Sequence, residues 1–580
     1  MNLPKRWQVA PVIGQDFLEK FPEINPITLQ LLYNRGLTEQ QEIDEFLSPD
    51  YSQNILDPFL FNDMEKAVKR ILTAIEKKEK ITIYGDYDAD GVTSSTLVMK
   101  ILEALGAVVD VYIPYRETEG YGLNKEAANE QIKKGTNLLI TVDCGISNVE
   151  EVDILTRGGI DVIITDHHHE PLFIPKAFAI INQHLKSEKY PFKDLVGCGV
   201  AFKLAQGLLA RHQNYQVNQL PAGCERLLLD LVAIGTIADL QPILGENRVL
   251  VKTGLDVLHD LADSKYKDRN YGLRELCREV KIDLKSIDER TIGWQIAPRL
   301  NAAGRMNHAS TAFELLVTKD QTEAKELATQ LNQTNRDRQQ LTDKIFNEAQ
   351  NILGEVIDQK LLSVVGNNWL TGVVGLVSGR LTDRYHRPSL VISRYNGEII
   401  GSGRSIPEFN IIEAAQQCSE YLSRFGGHAQ ACGFTVKNEP SLAKFIDKMT
   451  SLAETELKDK DISPILPIEA EVSLENIDWA IFEELKKFEP YGEGNPKPIF
   501  LARDLTVSDR QTVGNDGKHL RLMVKHNSDA VRKTIGFCFG EWCARIKKGD
   551  KVDMVFEVDV NEWNGNQELQ LKIVDLALSK

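Results

Sequence analysis

From Lys80 to about Asp166, short runs of β-branched and aliphatic residues alternate with amphipathic stretches. The runs predict strands at 81–85, 108–113, 137–142 and 160–165, and the stretches between them predict helices at 92–105, 124–134 and 147–157. Nearly continuous Val/Ile/Leu strands alternating with helices are strands buried on both faces, which gives an α/β, doubly wound parallel sheet. Ligands of such sheets gather beyond the carboxyl ends of the strands. Downstream, Ala312 to Leu353 contains no Gly or Pro and carries periodic Leu and Ile, so a long connecting helix is expected. A second, smaller α/β unit follows at about 360–455, with strands at 361–365, 389–393 and 397–401. Past Pro464 and Pro467, strand-like runs at 498–507, 519–525, 532–538, 551–559 and 567–575 have the size of an OB-like β-barrel.

These patterns divide the chain into a Pro-punctuated N-terminal extension packed on the core (1–60), a catalytic α/β domain (61–311), the helix (312–355), the second α/β domain (356–458) and the barrel (465–580). A length of 580 residues requires several cores. At 42% hydrophobic and 26% charged residues the composition is that of a globular protein. No apolar run approaches the roughly 20 residues that cross a bilayer, and the start Met1-Asn-Leu-Pro-Lys-Arg-Trp lacks a signal-like apolar stretch, so no membrane association and a cytoplasmic location are expected. The eight cysteines are scattered without a Cys-x-x-Cys pair, which argues against disulfides and structural zinc. A net charge of −16 leaves nucleic acid open as a partner, because aspartates that hold metal contribute to it.

Five acidic or histidine-bearing clusters stand just after apolar runs: Asp86-Tyr-Asp88-Ala-Asp90-Gly91, Asp143-Cys-Gly145, Asp166-His167-His168, Gly235-Thr-Ile-Ala-Asp239, and more weakly Gly426-Gly427-His428. Carboxylates and imidazoles gathered at the ends of buried strands repel one another, and divalent metal relieves the repulsion. Other templates fit poorly. An EF-hand would need Glu where Leu97 stands, and a phosphate-binding glycine loop would need a Lys and no carboxylates. A haloacid-dehalogenase nucleophile motif offers no role for Asp-His-His, and a solvated Asp-rich turn explains only the first cluster. Imidazole beside carboxylate suits Mn²⁺ better than Ca²⁺, with Mg²⁺ also compatible. His169 and Glu170 read as exposed bystanders.

The ordered set Asp-Tyr-Asp-Ala-Asp-Gly, Val-Asp-x-Gly-Ile-Ser, Asp-His-His and Gly-Thr-x-Ala-Asp resembles the DHH phosphoesterase superfamily, and Gly426-Gly427-His428 resembles the glycine-rich motif of its second, DHHA1 domain. The resemblance is strongest to the bacterial branch that degrades single-stranded DNA from the 5′ end. It extends to Pro298-Arg299-Leu-Asn301, Gly401-Ser402-Gly-Arg404 and Glu489-Pro-Tyr-Gly-Glu-Gly494. It implies two Mn²⁺ or Mg²⁺ ions held by Asp88, Asp90, Asp143, His167 and Asp239, with Asp90 and Asp143 bridging. By the same likeness Asp86 ligates or orients, His168 meets the scissile phosphate or leaving oxygen, and Asp166 supports the histidines. Arg116, Ser402 and Arg404 fall at positions that bind a terminal 5′-phosphate, a task suited to the guanidinium fork. Arg299, Asn301, Arg305 and His428 would line the DNA cleft, and Tyr121 would either stack on a base or pack as a core tyrosine. One departure is Trp369-Leu370-Thr371-Gly372, where the superfamily often has His after the Trp.

The function implied is a metal-dependent 5′→3′ exonuclease on single-stranded DNA that releases 5′-mononucleotides in recombination and repair. It would act as a monomer, after a helicase and alongside single-strand-binding protein. Two rivals are a DHH phosphodiesterase for short oligoribonucleotides or cyclic dinucleotides, and a single-strand-binding scaffold with an inactive DHH site.

Overall fold

The computed structural model describes residues 4–266, 269–355, 359–528, 530–563 and 565–579. The chain divides into two compact units: residues 55–241 with 250–463, and residues 4–54 with 242–249 and 464–580.

The first unit contains the expected parallel sheet. Its strands are β1 (Lys80–Gly85), β2 (Val108–Tyr112), β3 (Leu138–Val142), β4 (Asp161–Thr165) and the unanticipated β5 (Ala179–Ile181), in the order β2-β1-β3-β4-β5. Every pairing is parallel, and β3 is buried along its whole length. The chain steps to one side of β1 to form β2 and to the other to form β3. The order therefore reverses at the carboxyl ends of β1 and β3, the switch point where such sheets bind ligands. Helix α1 (Ala89–Leu105) leaves β1 directly, while α2 (Gly197–Arg211) and α3 (Leu229–Ala238) pack on it.

The apolar run ending in Asp239, which was not among the predicted strands, is the buried helix α3, so Asp239 approaches the site from a helix C-terminus. A helix buried on every side carries no polar stripe, and its sequence then resembles a buried strand. The long polar stretch is also broken. Helix α4 (Ala297–Met306) is followed by α5 (Ser310–Val317) and then α6 (Gln321–Leu353), with the Asp320 side chain capping α6 by accepting from the Glu323 N–H. The expected helix boundary at 355/356 falls beside residues 356–358, which lie outside the described ones.

The same unit holds a mixed sheet of β6 (Leu362–Asn367), β7 (Ser389–Tyr395), β8 (Glu398–Arg404), β9 (Leu422–His428) and β10 (Ala431–Val436), in the order β9-β10-β8-β7-β6. Helix α7 (Thr371–Tyr385) packs on β7 and β8.

In the second unit β11 (Phe500–Val513), β12 (His519–Lys525), β13 (Val531–Gly536), β14 (Lys551–Trp563) and β15 (Asn566–Leu578) run in the order β11-β12-β13-β15-β14. Pairing of β14 back to β11 closes the barrel. The N-terminal extension, expected to pack on a core, shares that of this unit. Leu29, Leu32, Ile43 and Phe46 share one core with Ile481, Phe488, Phe500, Leu520 and Phe556, and Arg6–Val9 pairs with Ile465–Ile468. The buried Arg248 guanidinium donates to the carbonyls of Phe46, Lys487, Phe488 and Glu489, tying three separate stretches of sequence together.

Candidate two-cation active site

The loop after β1 is built around its glycine. A Cβ on Gly91 would lie 2.5 Å from the Asp86 carbonyl oxygen, so only glycine lets the chain turn so tightly into α1. Asp88 is the N-cap of α1, accepting from the backbone N–H groups of Asp90 and Gly91 at 3.0 Å each. The next N–H, that of Ala89, donates to Asn301 Oδ1 at 2.8 Å, so Asn301 from α4 pins the start of α1. Asp90 is buried in the first turn, and its two oxygens accept from the N–H groups of Gly197 and Cys198 at the start of α2, at 2.8 and 2.9 Å. Gly197 makes this possible, since a Cβ there would sit 2.6 Å from Asp143 Cβ and 2.7 Å from Asp90 Oδ2.

Asp143, directly after β3, has φ +59, in the left-handed region where Asp is one of the few tolerated side chains. Its Oδ1 lies 3.1 Å from His167 Nε2, and that nitrogen is also 3.9 Å from both Asp90 Oδ2 and Asp239 Oδ2. Asp166, after β4, is fully buried and accepts from the N–H groups of Ile146, His167 and His168 and lies 2.8 Å from His168 Nδ1. Burial pushes its pKa up, but the His168 hydrogen bond and the two imidazoles outweigh burial and hold the carboxyl below its usual range. The Tyr121 hydroxyl lies 3.2 Å from the Asp143 carbonyl oxygen and 3.0 Å from His168 Nδ1, so this residue, read from sequence as a base-stacking or a core tyrosine, turns its polar end into the site.

One ligand atom from each of Asp86, Asp88 and Asp143 falls within 4.8 Å of the others; so do atoms from Asp90, His167 and Asp239, and from Asp143, His167 and His168. Asp143 and His167 each belong to two groups, which puts Asp143 where a shared ligand is needed. The donor set matches a pair of hard-to-borderline divalent cations. Burial first, and then neighbouring carboxylates, push Asp86, Asp90 and Asp143 well above the usual carboxylate range. Asp239 is raised as well, by burial and by Asp88, against the lowering effect of His167. Asp86 Oδ1 is buried without a hydrogen-bond partner. An excess of buried negative charge with an orphaned oxygen fits bound metal and is poorly served by anything else present.

Beside the carboxylates lies a group of arginines. The Arg116 guanidinium sits over the Tyr87 ring at 4.9 Å, Arg404 Nη1 donates to Ser402 Oγ at 3.0 Å, and Arg305 Nη1 donates to the Gly372 carbonyl at 3.2 Å. Burial, and then Arg116 and Arg338, bring the Arg305 pKa down to about 9, against the opposing pull of Asp88. Arg299 is tethered to α6 through Asn332 Oδ1 at 3.1 Å. His428 stands exposed at the end of β9 and joins none of the cation groups among the described residues. Sequence reasoning missed Gly197. Gly235, read there only as part of the motif that ends in Asp239, also leaves space at the site, since a Cβ on it would meet Asp90 Oδ1 at 2.7 Å.

Three family profiles match the chain: the DHH family N-terminal domain over residues 80–236, the DHHA1 domain over 358–455 and the RecJ OB domain over 468–575. The chain is 37% identical to the single-stranded-DNA-specific exonuclease RecJ of Bacillus subtilis, across 99% of this chain and 71% of that one. It is 30% identical to the Haemophilus influenzae protein of the same name, across 95% and 96%. Among solved structures it superposes on Thermus thermophilus RecJ in complex with Mn²⁺ with a TM-score of 0.82 and 28% identity, covering 99% of this chain and 80% of that one.

Proposed function

The chain belongs to the RecJ family, and from that kinship and the site geometry we propose how it degrades single-stranded DNA. It is a metal-dependent, single-strand-specific exonuclease of the DHH class. One observation carries the assignment of the site: three cation groups converge, through shared Asp143 and His167, at the switch point of the sheet.

Asp86, Asp88 and Asp143 would hold one cation and Asp90, His167 and Asp239 the other, with Asp143 facing both. When bound there, Mn²⁺ or Mg²⁺ supplies activation of a water and neutralisation of charge developing on the phosphodiester oxygens. Hydrolysis breaks the bond between phosphorus and the 3′ oxygen of the terminal nucleotide. That nucleotide departs as a 5′-mononucleotide, and the shortened strand keeps a new 5′-phosphate. Asp166 stays ionised and fixes the His168 ring beside the carboxylates, in reach of the phosphate or the leaving 3′ oxygen. Gly197 and Cys198 hold the Asp90 carboxylate by both oxygens, so its position does not depend on substrate. Arg116, Ser402 and Arg404 would receive the terminal 5′-phosphate and so set the cut one nucleotide from the end.

The OB barrel adds affinity for the strand through base stacking and backbone charge. Since duplex must be opened before such an enzyme can act, a helicase and single-strand-binding protein are its natural partners in a cytoplasmic repair setting. No helix among the described residues is long and apolar enough to cross a membrane. The small-substrate alternative leaves the RecJ-type barrel without a role, and the inactive-scaffold alternative leaves the convergent ligand set without one.

The test is Mn²⁺-dependent degradation of one single-stranded oligonucleotide labelled in parallel at either end. Immediate release of a 5′-labelled mononucleotide with stepwise shortening of the 3′-labelled strand is expected. Turnover of dinucleotides alone, or initial release from the 3′ end, would overturn the reading.

A further inference from the structure

Strand β2 lies at the edge of the parallel sheet, so the chain that leaves it has a neighbouring strand, β1, on one side only. The loop that follows, Ile113 to Gly120, carries Arg116. Part of its shape is its own. The Glu119 and Gly120 N–H groups donate to the Tyr115 carbonyl at 2.8 and 3.3 Å, and Glu119 Oε2 accepts from the Tyr115 N–H at 2.7 Å. Glu119 Oε1 accepts from the Tyr112 hydroxyl and from Asn124 Nδ2, at 2.7 and 2.9 Å, which anchors the returning end of the loop. The outgoing end is held from elsewhere. His308, 195 residues further along the chain in the break between α4 and α5, places Nε2 2.9 Å from the Ile113 carbonyl oxygen. Its Nδ1 accepts from the Ser310 N–H at 3.1 Å, and its ring meets that of Tyr115 with 3.9 Å between centroids.

A backbone N–H pointing at Nδ1 fixes the tautomer: Nδ1 accepts, so Nε2 carries the proton and donates it to Ile113. Ile113 and Tyr115 flank Pro114, whose ring holds φ nearly fixed, so the step into Arg116 inherits its position from the two residues that His308 grips. On its other side the Arg116 guanidinium rests over Tyr87, the residue between Asp86 and Asp88, at 4.9 Å from the ring. Helix α4 already pins the start of α1 through Asn301, and His308, just past the end of α4, pins the Arg116 loop. The carboxylate cluster and the guanidinium are thus held in register by neighbouring residues of one stretch of chain. Resting on the exonuclease reading above, we propose that His308 is a positioning residue for the end pocket. It holds Arg116 where a terminal 5′-phosphate is recognised, and so sets the preference for phosphorylated ends without touching the strand.

The experiment uses full-length protein and one single-stranded oligonucleotide made with either a 5′-phosphate or a 5′-hydroxyl, with the affinity for each measured in chelator. Wild type should prefer the phosphorylated strand by about tenfold, the difference made by a charge-assisted hydrogen bond, and Arg116→Ala should lose most of that preference. His308→Ala should reduce the preference to about threefold or less, while its affinity for the hydroxyl strand stays near that of wild type. His308→Gln, whose side-chain amide can donate to the Ile113 carbonyl in place of Nε2, should recover most of what His308→Ala loses. Because His308 acts through Arg116, adding His308→Ala to Arg116→Ala should remove no further preference. An unchanged preference in His308→Ala would overturn the proposal, as would equal weakening on both strands, no recovery in His308→Gln, or a loss that adds in full to that of Arg116→Ala. A purely structural histidine gives the second of these results, since general loosening does not distinguish the two ends. The two readings fail differently: Arg116→Ala keeping the preference would remove the end pocket itself, whereas loss in Arg116→Ala with none in His308→Ala would remove only the role of His308.

Discussion

Gly197→Ala places one methyl group between two proposed metal ligands, and the structure fixes what must move. The added Cβ would lie 2.6 Å from Asp143 Cβ and 2.7 Å from Asp90 Oδ2, whereas ordinary contact begins near 3.4 Å, so one side must retreat by about 0.8 Å. Neither neighbour is the loose end of a flexible chain. Asp90 is held by two backbone N–H groups and Asp143 by its left-handed backbone. The crowding costs about 1–3 kcal/mol and the helix preference for Ala over Gly returns about 1 kcal/mol, so global stability in chelator should change little. Activity should change much more, because a misplacement near 1 Å costs on the order of a hundredfold. The assay pairs Mn²⁺-dependent release from a 5′-labelled strand with thermal unfolding in chelator and in Mn²⁺. The expected result is a loss of about a hundredfold in turnover and a clearly smaller rise in Tm on adding Mn²⁺, since stabilisation by a ligand follows its affinity. Gly199→Ala is the control, because its Cβ would come nearest to Leu195 Cδ2, the end of a flexible side chain, at 3.2 Å. Wild-type turnover and an unchanged Mn²⁺ increment in Gly197→Ala would refute the claim that the start of α2 positions the ligands.

Asp143→Asn keeps the size and the tolerance of left-handed backbone but removes a charge facing both cations. Cleavage should vanish while DNA binding in chelator persists, and near-normal turnover would remove Asp143 from the site. Because burial and mutual repulsion raise the folded-state pKa values of Asp86, Asp90 and Asp143, the metal-free protein binds more protons folded than unfolded above the ordinary carboxylate range. Its stability should therefore fall as pH rises through those raised values, and Asp143→Asn should flatten the fall; a Tm in chelator that climbs with pH would contradict the sign. By the same linkage Mn²⁺ binding should release protons and tighten as pH rises, which calorimetry in buffers of different ionisation enthalpy would read directly. Arg404→Ala should slow 5′-phosphorylated strands more than 5′-hydroxyl strands, and equal losses would detach Arg404 from the terminal phosphate.

Much of the candidate site was legible because its proposed ligands follow strands whose burial on both faces writes itself as unbroken β-branched sequence. Asp86–Asp90, Asp143 and Asp166–His168 stand just past such runs, and the order of strands brings them together. Asp239 was legible as a candidate ligand and illegible as structure, since the buried helix before it lacks a polar face. The break before α6 did leave a trace, with Asp320 three residues ahead of Glu323 as a capping pair, but the periodic Leu and Ile on either side obscured it. Gly197 could not be found from sequence, because it is needed for the space it leaves, which only the fold defines.

The shared core of the N-terminal extension and the barrel bears on how the protein is made. Residues 4–54 group with 464–579 and the short stretch 242–249 in one compact unit, so about 410 residues of chain separate the two main parts of that core. At ribosomal speeds of roughly 5–20 residues per second, the early segment waits on the order of 20–80 s with Leu29, Leu32, Ile43 and Phe46 uncovered. The nuclease unit, by contrast, has its whole sequence available before the barrel is translated. An N-terminal fusion or trimming that disturbs the first helices should therefore appear as aggregation during synthesis and a destabilised barrel, while the metal site itself remains intact.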